Sequence, residues 1–377
     1  MTIKQAQLLI CDSEHHADML YISGIFVPDP FVAIGLDGEW HGLFSPLEID
    51  RARKQSRLHQ AHLDTRWREE AASQGWPPEL ASAAAAFLSD RKVKKLVVPG
   101  NFPLQYADQL RGLGFTVQPS NGALFPERAI KSRGELAQLQ KAVNICKSAM
   151  RQAERCLQEA SIDNNGILLD PESGKRMKSA DLRRIIETHI VSKGAMPSHT
   201  IVACGNDAAD PHHVGHGFLR AHQTIIIDIF PRSASGYWGD MTRTFVKGKA
   251  GGKLKQMYHA VREGQDIGLS MLADGVSGKD IHQAILNHFD KQGFPTGIRR
   301  GRQMGFFHGT GHGVGLDIHE QPRISTVDEM LHAGQVVTIE PGLYYHGVGG
   351  IRLEDMAVVT SDGHRNFTRY PRRLEIS

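Results

Sequence analysis

Residues 224–230 read Thr-Ile-Ile-Ile-Asp-Ile-Phe. β-Branched side chains in unbroken succession favour an extended strand buried on both faces. Asp228 falls inside that strand. An ionised carboxylate taken out of water is costly unless it is paired or bound to a cation. The chain must therefore bring a partner to this strand, either a basic side chain in a buried ion pair or a cation shared with other ligands. Three further acids lie in or beside strand-like segments: Asp240 in GDMTRTF, Glu340 ending VVTIE before Pro341-Gly342, and Glu354 in IRLED ahead of MAVV.

Histidine is the second unusual feature, at 20 residues. His212, His213, His216 and His222 fall in one short segment, and His308, His312 and His319 in another. The scattered ones, such as His15, His59 and His282, are expected at the surface. The second segment reads HGTGHGVGLDIHE, and Gly309, Gly311, Gly313 and Gly315 disfavour a helix there. Such glycines are expected to let backbone approach a ligand closely. Four carboxylates and one imidazole suit a pair of divalent ions, because four negative charges balance two doubly positive ones. Two-ion sites lower the pKa of bound water. Oxygen-dominated donors favour manganese, with cobalt and zinc also compatible. A competing arrangement is a separate zinc set of His212, His213 and His216. Against it, neighbouring side chains in an extended chain point to opposite sides.

The length, 377 residues, suggests two domains. Lys and Arg total 44 against 41 Asp and Glu, a net charge of +3, which is no electrostatic footprint for nucleic acid or an anionic membrane. No apolar run approaches the ~18 residues of a membrane span, and the first residues do not form a convincing signal peptide. Cys11, Cys146, Cys156 and Cys204 include no C-x-x-C pair, which argues against a disulfide framework or a thiolate zinc site. A soluble, cytoplasmic protein is the expectation.

The first 125 residues read as mixed α and β. Expected strands are Ala17–Ser23, Phe31–Leu36, Glu39–Phe44, 94–98 and 115–117, with Asp37-Gly38 as a hairpin turn. Expected helices cover 49–74, 77–89 and 103–111. Residues 119–128 combine Pro, Asn and Gly as a domain junction. A long helix follows, with Leu136, Leu139, Val143, Met150, Ala153 and Leu157 on one face. A hairpin insertion is expected over 163–177, and Ser179 is placed as the cap of the next helix.

The ordered set Asp, Asp, His, Glu, Glu, with its flanks IIIDIF, GDMTRTF, HGTGHGVGLDIHE, TIEPGLY and RLED, resembles the M24 metallopeptidases of the pita-bread fold. That family includes aminopeptidase P, prolidase and methionine aminopeptidase. The resemblance covers about residues 126–370. It implies an α/β (α+β) chain: a catalytic pita-bread (creatinase/aminopeptidase) domain over 126–377, after a smaller creatinase-like α/β domain over 1–125. An N-terminal domain of that size points to aminopeptidase P and prolidase.

By this resemblance the metal ligands are Asp228, Asp240, His312, Glu340 and Glu354, with Asp240 and Glu354 bridging two divalent ions. Glu340 would also shuttle the proton. His212 would hydrogen-bond the substrate or the tetrahedral intermediate, and His319 would contact the scissile carbonyl. His308 and Phe307 would line a proline pocket, and Arg352 would orient a bridging carboxylate through a bidentate pair. The implied activity is cleavage of an N-terminal Xaa-Pro bond in a short peptide by a metal-bridging hydroxide, in a homodimer. Two other readings are a non-metal, creatinase-type C–N hydrolase and a binding module without activity. Such proteins typically lose ligands, whereas all five positions are filled here.

Overall fold

In the computed structural model, which describes residues 4–299 and 301–377, the chain divides into two compact units, Met1–Arg128 and Ala129–Ser377. The first is built on a six-stranded mixed sheet in the order Gln60–Leu63, Glu39–Phe44, Phe31–Leu36, Gln5–Cys11, Lys95–Val98, Thr116–Pro119. Asp37 and Gly38 both take positive φ, +53° and +85°, so the hairpin closes as the Asp-Gly pair predicts. Leu8, Ile10, Val32 and Ile34 pack against the alanine-rich helix Leu80–Asp90.

Two expectations for this unit are corrected. Ala17–Ser23 is a helix, not a strand. It buries Met19, Leu20 and Ile22, and Gly24 ends it in the left-handed conformation, its N–H donating to the Leu20 carbonyl. A short apolar run cannot be typed by periodicity, and the glycine stop was the informative signal. The expected helix over 49–74 is broken into helix Ile49–Gln55, strand Gln60–Leu63 and helix Asp64–Ser73. The strand pairs in parallel with Glu39–Phe44. Here sheet pairing overrides a helix-favouring composition.

The second unit opens with helix Arg133–Glu159, started by a capping box between Ser132 and Glu135. Met150, Ala153 and Leu157 of that helix, with Leu182, Ile186 and Ile190 of helix Ser179–Ser192, cover a four-stranded sheet. Its order is Ile201–Cys204, Ile225–Ile229, Met241–Lys247, Glu375–Ile376. Helices Gly252–Met271 and Gly278–Lys291 help cover a five-stranded sheet in the order Glu320–Ile324, Gly311–Gly313, Val336–Ile339, Asp355–Thr360, Gly363–Asn366. Ser161–Ile162, just before the expected insertion, pairs with Leu168–Leu169 inside it as a short hairpin. Ser179 is the first helical residue rather than the cap. Lys178 holds the cap position and its N–H donates to Asp181, while the Ser179 hydroxyl has no hydrogen-bond partner. Among the described residues no helix is long and apolar enough to cross a membrane.

Candidate metal centre

Alternation along paired strands puts the acids in place. In Ile225–Ile229, Ile225, Ile227 and Ile229 enter the helix-covered core, and Asp228 faces the other way with Ile226. Each fully buried isoleucine contributes roughly 1.5–3 kcal/mol, which lets the strand carry one paired acid. Met241–Lys247 runs antiparallel to it, with Thr242 opposite Asp228. Met241 and Phe245 enter the same core, leaving Asp240, Thr242 and Thr244 toward the site. In IRLE, Leu353 points into apolar core between Arg352 and Glu354, which share the opposite face. Ile339 pairs with Asp355, so Glu340 arrives beside Glu354.

His312 stands in the strand Gly311–Gly313, held by its N–H to the Thr338 hydroxyl at 3.1 Å. Gly309 and Gly311 line the cavity, and Gly311 and Gly313 also lie tight against neighbouring backbone. A Cβ at Gly311 would strike the Thr338 carbonyl, and one at Gly313 the Gln321 carbonyl. They let neighbouring protein backbone close around the histidine.

All five expected ligands line one cavity of about 540 Å³, together with His212, Phe307, His308, His319, Arg323 and Arg352. Asp240, His312 and Glu354 are buried and offer ligand atoms that all lie within 4.8 Å of one another. His312 Nε2 is 3.4 Å from Glu340 Oε1 and 3.8 Å from Asp240 Oδ2. Asp228 Oδ2 accepts from Arg352 Nη2 at 2.6 Å, whereas its Oδ1 is buried without a hydrogen-bond partner.

Burial, followed by the charge of Glu354, raises the carboxyls of Asp240 and Glu340 well above the ordinary range. Burial, then Asp228, pushes Glu354 up to about 8. Burial, then His319, holds His312 down at about 3, so its imidazole is neutral and ready to donate a lone pair. A buried carboxylate oxygen without a donor, crowded acids that resist ionisation, and a neutral imidazole together fit divalent cations.

The remaining expected residues sort as follows. His319 meets His312 edge-on, with ring centres 4.4 Å apart. His212 is exposed at the cavity rim. His308 Nε2 lies 2.9 Å from the Tyr344 hydroxyl and Nδ1 2.8 Å from the Gly309 carbonyl. Arg352 Nη1 donates to that hydroxyl at 3.0 Å, which leaves the hydroxyl hydrogen for His308 Nε2. The tautomer this assigns carries its proton on Nδ1. Phe307 packs against Tyr344, with ring centres 5.5 Å apart.

Three expectations change. Arg352 makes no bidentate pair with a bridging carboxylate. It gives one bond to Asp228, and its other donors go to Tyr344, to the Pro211 carbonyl and to Thr242, while Glu354 is met by the Thr242 hydroxyl at 2.7 Å. The guanidinium therefore fixes Asp228 at the wall of the cavity. His212, His213 and His216 do not assemble a zinc set. His213 accepts from the Gly215 N–H and its ring meets His216, while His212 faces the carboxylate cavity. His282 is buried, not superficial, with Nδ1 2.9 Å from the Thr310 hydroxyl.

Tyr344 and Arg323 received no role from the sequence. Tyr344 lies in TIEPGLY on strand Gly342–Tyr345, where alternation alone would have turned it to the same side as Gly342. Arg323, four residues after His319, was a cation close to an acid cluster.

Residues 137–361 match metallopeptidase family M24. The chain belongs to that family. Among M24-type relatives, it is 34% identical to the uncharacterized peptidase YqhT of Bacillus subtilis over 194 residues, 51% of this chain and 53% of that one. It is 30% identical to the Xaa-Pro dipeptidase of Pyrococcus horikoshii over 248 residues, 66% of this chain and 64% of that one. These matches thus span less than two thirds of the relatives' own length. The X-Pro aminopeptidase structure from Thermotoga maritima superimposes with a TM-score of 0.82 at 21% identity, covering 99% of this chain and 98% of that one. That likeness establishes the fold, a pita-bread unit preceded by an α/β unit.

Proposed function

We propose that this M24 chain is a dinuclear-metal-dependent Xaa-Pro peptidase acting at the N-terminus of short peptides. The convergence of five donors on one cavity, four of them buried and Glu340 partly so, carries the reading. Asp228, Asp240, His312, Glu340 and Glu354 would hold the two ions, manganese in preference to cobalt or zinc because the donors are mainly oxygen. When bound, such ions supply Lewis acidity and lower the pKa of water.

The protein's own groups do the rest. The Glu340 side chain is 18% exposed against 6% for Asp240, so it is the acid open to the cavity and suited to move a proton toward the leaving nitrogen. His319 and His212 donate hydrogen bonds where negative charge develops on the carbonyl oxygen. The nitrogen of an Xaa-Pro bond bears no hydrogen, so proline is recognised by shape. His308 has both ring nitrogens engaged by protein and presents carbon beside Phe307, which makes an apolar wall. Arg323 lines the same cavity, beside His319 and His312. It is placed to meet the C-terminal carboxylate of a dipeptide. A homodimer and a cytoplasmic setting complete the proposal, the latter in keeping with four free cysteines.

A hydrolysis panel tests this. Xaa-Pro dipeptides should be cleaved, chelator should stop cleavage and manganese should restore it, while Met-Ala peptides and creatine stay intact. Xaa-Pro-Yaa tripeptides measure the contribution of Arg323. Arg323→Ala should cost roughly 10- to 100-fold in kcat/KM on dipeptides, carried by KM, and much less on Xaa-Pro amides. Cleavage that ignores chelator, or a panel without Xaa-Pro turnover, overturns the reading.

A further inference from the structure

His319 stands on backbone that no strand ladder holds. Gly311–Gly313 pairs with Glu320–Ile324, but the register shifts between His312 and Gly313, and residues 314–319 carry no regular structure. Two attachments frame this loop. At its start, Trp238 donates from its backbone N–H to the Gly315 carbonyl and from Nε1 to the Leu316 carbonyl, each at 3.0 Å. At its end, Glu320, next to His319, accepts through Oε1 from Lys131 Nζ.

The Lys131 side chain is 1% exposed and that of Glu320 12%. The carboxylate lies where a Cβ on Gly315 would be, so it packs onto the backbone of the loop itself. Lys131 is in turn anchored. Its N–H donates to the Gly334 carbonyl at 2.9 Å and its Nζ to the Ala129 carbonyl at 3.3 Å. Ser132, the next residue, caps the long helix. Neither Lys131 nor Glu320 lines the cavity.

A buried ion pair adds little stability over an apolar pair of similar volume, because desolvation offsets the attraction. What it supplies is a fixed geometry, at the end of the loop nearest His319. We propose that Lys131 and Glu320 are positioning residues that set the placement of the His319 imidazole in the site. The inference rests on the role given to His319 above.

The test is a double-mutant cycle on the full chain with Lys131→Met, His319→Ala and the combined variant, following kcat, KM and bound manganese with an Xaa-Pro dipeptide. Lys131→Met is expected to lower kcat about 10- to 100-fold, the scale of an ångström-sized misplacement, with KM and manganese content held. The combined variant should be no slower than His319→Ala alone, and Lys131→Arg should recover most of the rate. Glu320→Gln, which keeps volume and an acceptor, repeats the cycle if Lys131→Met does not fold. Losses that multiply with His319→Ala, or full kcat in Lys131→Met or Glu320→Gln, overturn the positioning role. Wild-type turnover in His319→Ala alone would instead remove the function assigned to His319, so the two failures are told apart.

Discussion

Asp240→Asn is expected to remove the proposed Xaa-Pro hydrolysis and metal retention together. Asp240 is buried, lies within ligand distance of both His312 and Glu354, and is forced away from its ionised form by burial and by three neighbouring carboxylates. Its negative charge is costly there unless a cation offsets it. Without it, the group of three mutually close ligand atoms loses one member. Metal catalysis supplies several kcal/mol of transition-state stabilisation, so kcat/KM should fall by about 10³-fold or more. Bound manganese, measured on the purified variant, should fall with it. The same substitution relieves crowding among acids, so the metal-free variant should melt higher than the metal-free parent. A variant that keeps both its manganese and its turnover would remove Asp240 from the centre.

Stripped of ions, the protein should lose stability as the pH rises above about 6.5, where the opposing contribution of the buried His308 and His312 is complete. Glu354 ionises near 4.5 in an unfolded chain and at about 8 in the folded one. Between those values the native state holds more protons than the unfolded state, so stability falls with increasing pH. It is greatest below pH 4.5 for this group and is lost through about pH 8. The upward shifts at Asp240 and Glu340 act in the same direction. The size is on the order of a few kcal/mol. Ions binding the ionised carboxylates reverse the trend, because metal affinity rises as protons leave. Denaturant titrations of chelated and manganese-loaded protein should therefore diverge as pH increases from about 6.5 to 8. Parallel curves would mean that these acids are not crowded in the way the geometry indicates.

The site was more legible than the scaffold that holds it, for a physical reason. Asp228 in an isoleucine strand and Glu354 before a strand violate ordinary burial rules, and such violations show in a bare sequence. Period-two alternation then determined which faces they share. Arg352 was visible as a partner, but not that its single carboxylate bond goes to Asp228, because that depends on Thr242 already occupying Glu354. The glycines around His312 signal close approach, and the structure adds that Gly311 and Gly313 lie against neighbouring strand backbone. Ala17–Ser23 and 49–74 were misread because short apolar or charged runs do not carry their tertiary partners with them. The Lys131–Glu320 pair joins residues 189 positions apart, a contact no local pattern announces.

Anomalous diffraction from manganese-loaded crystals addresses the centre itself. The proposed dinuclear centre predicts two peaks per chain, both among Asp228, Asp240, His312, Glu340 and Glu354. A single peak, or peaks bound by other residues, would contradict it.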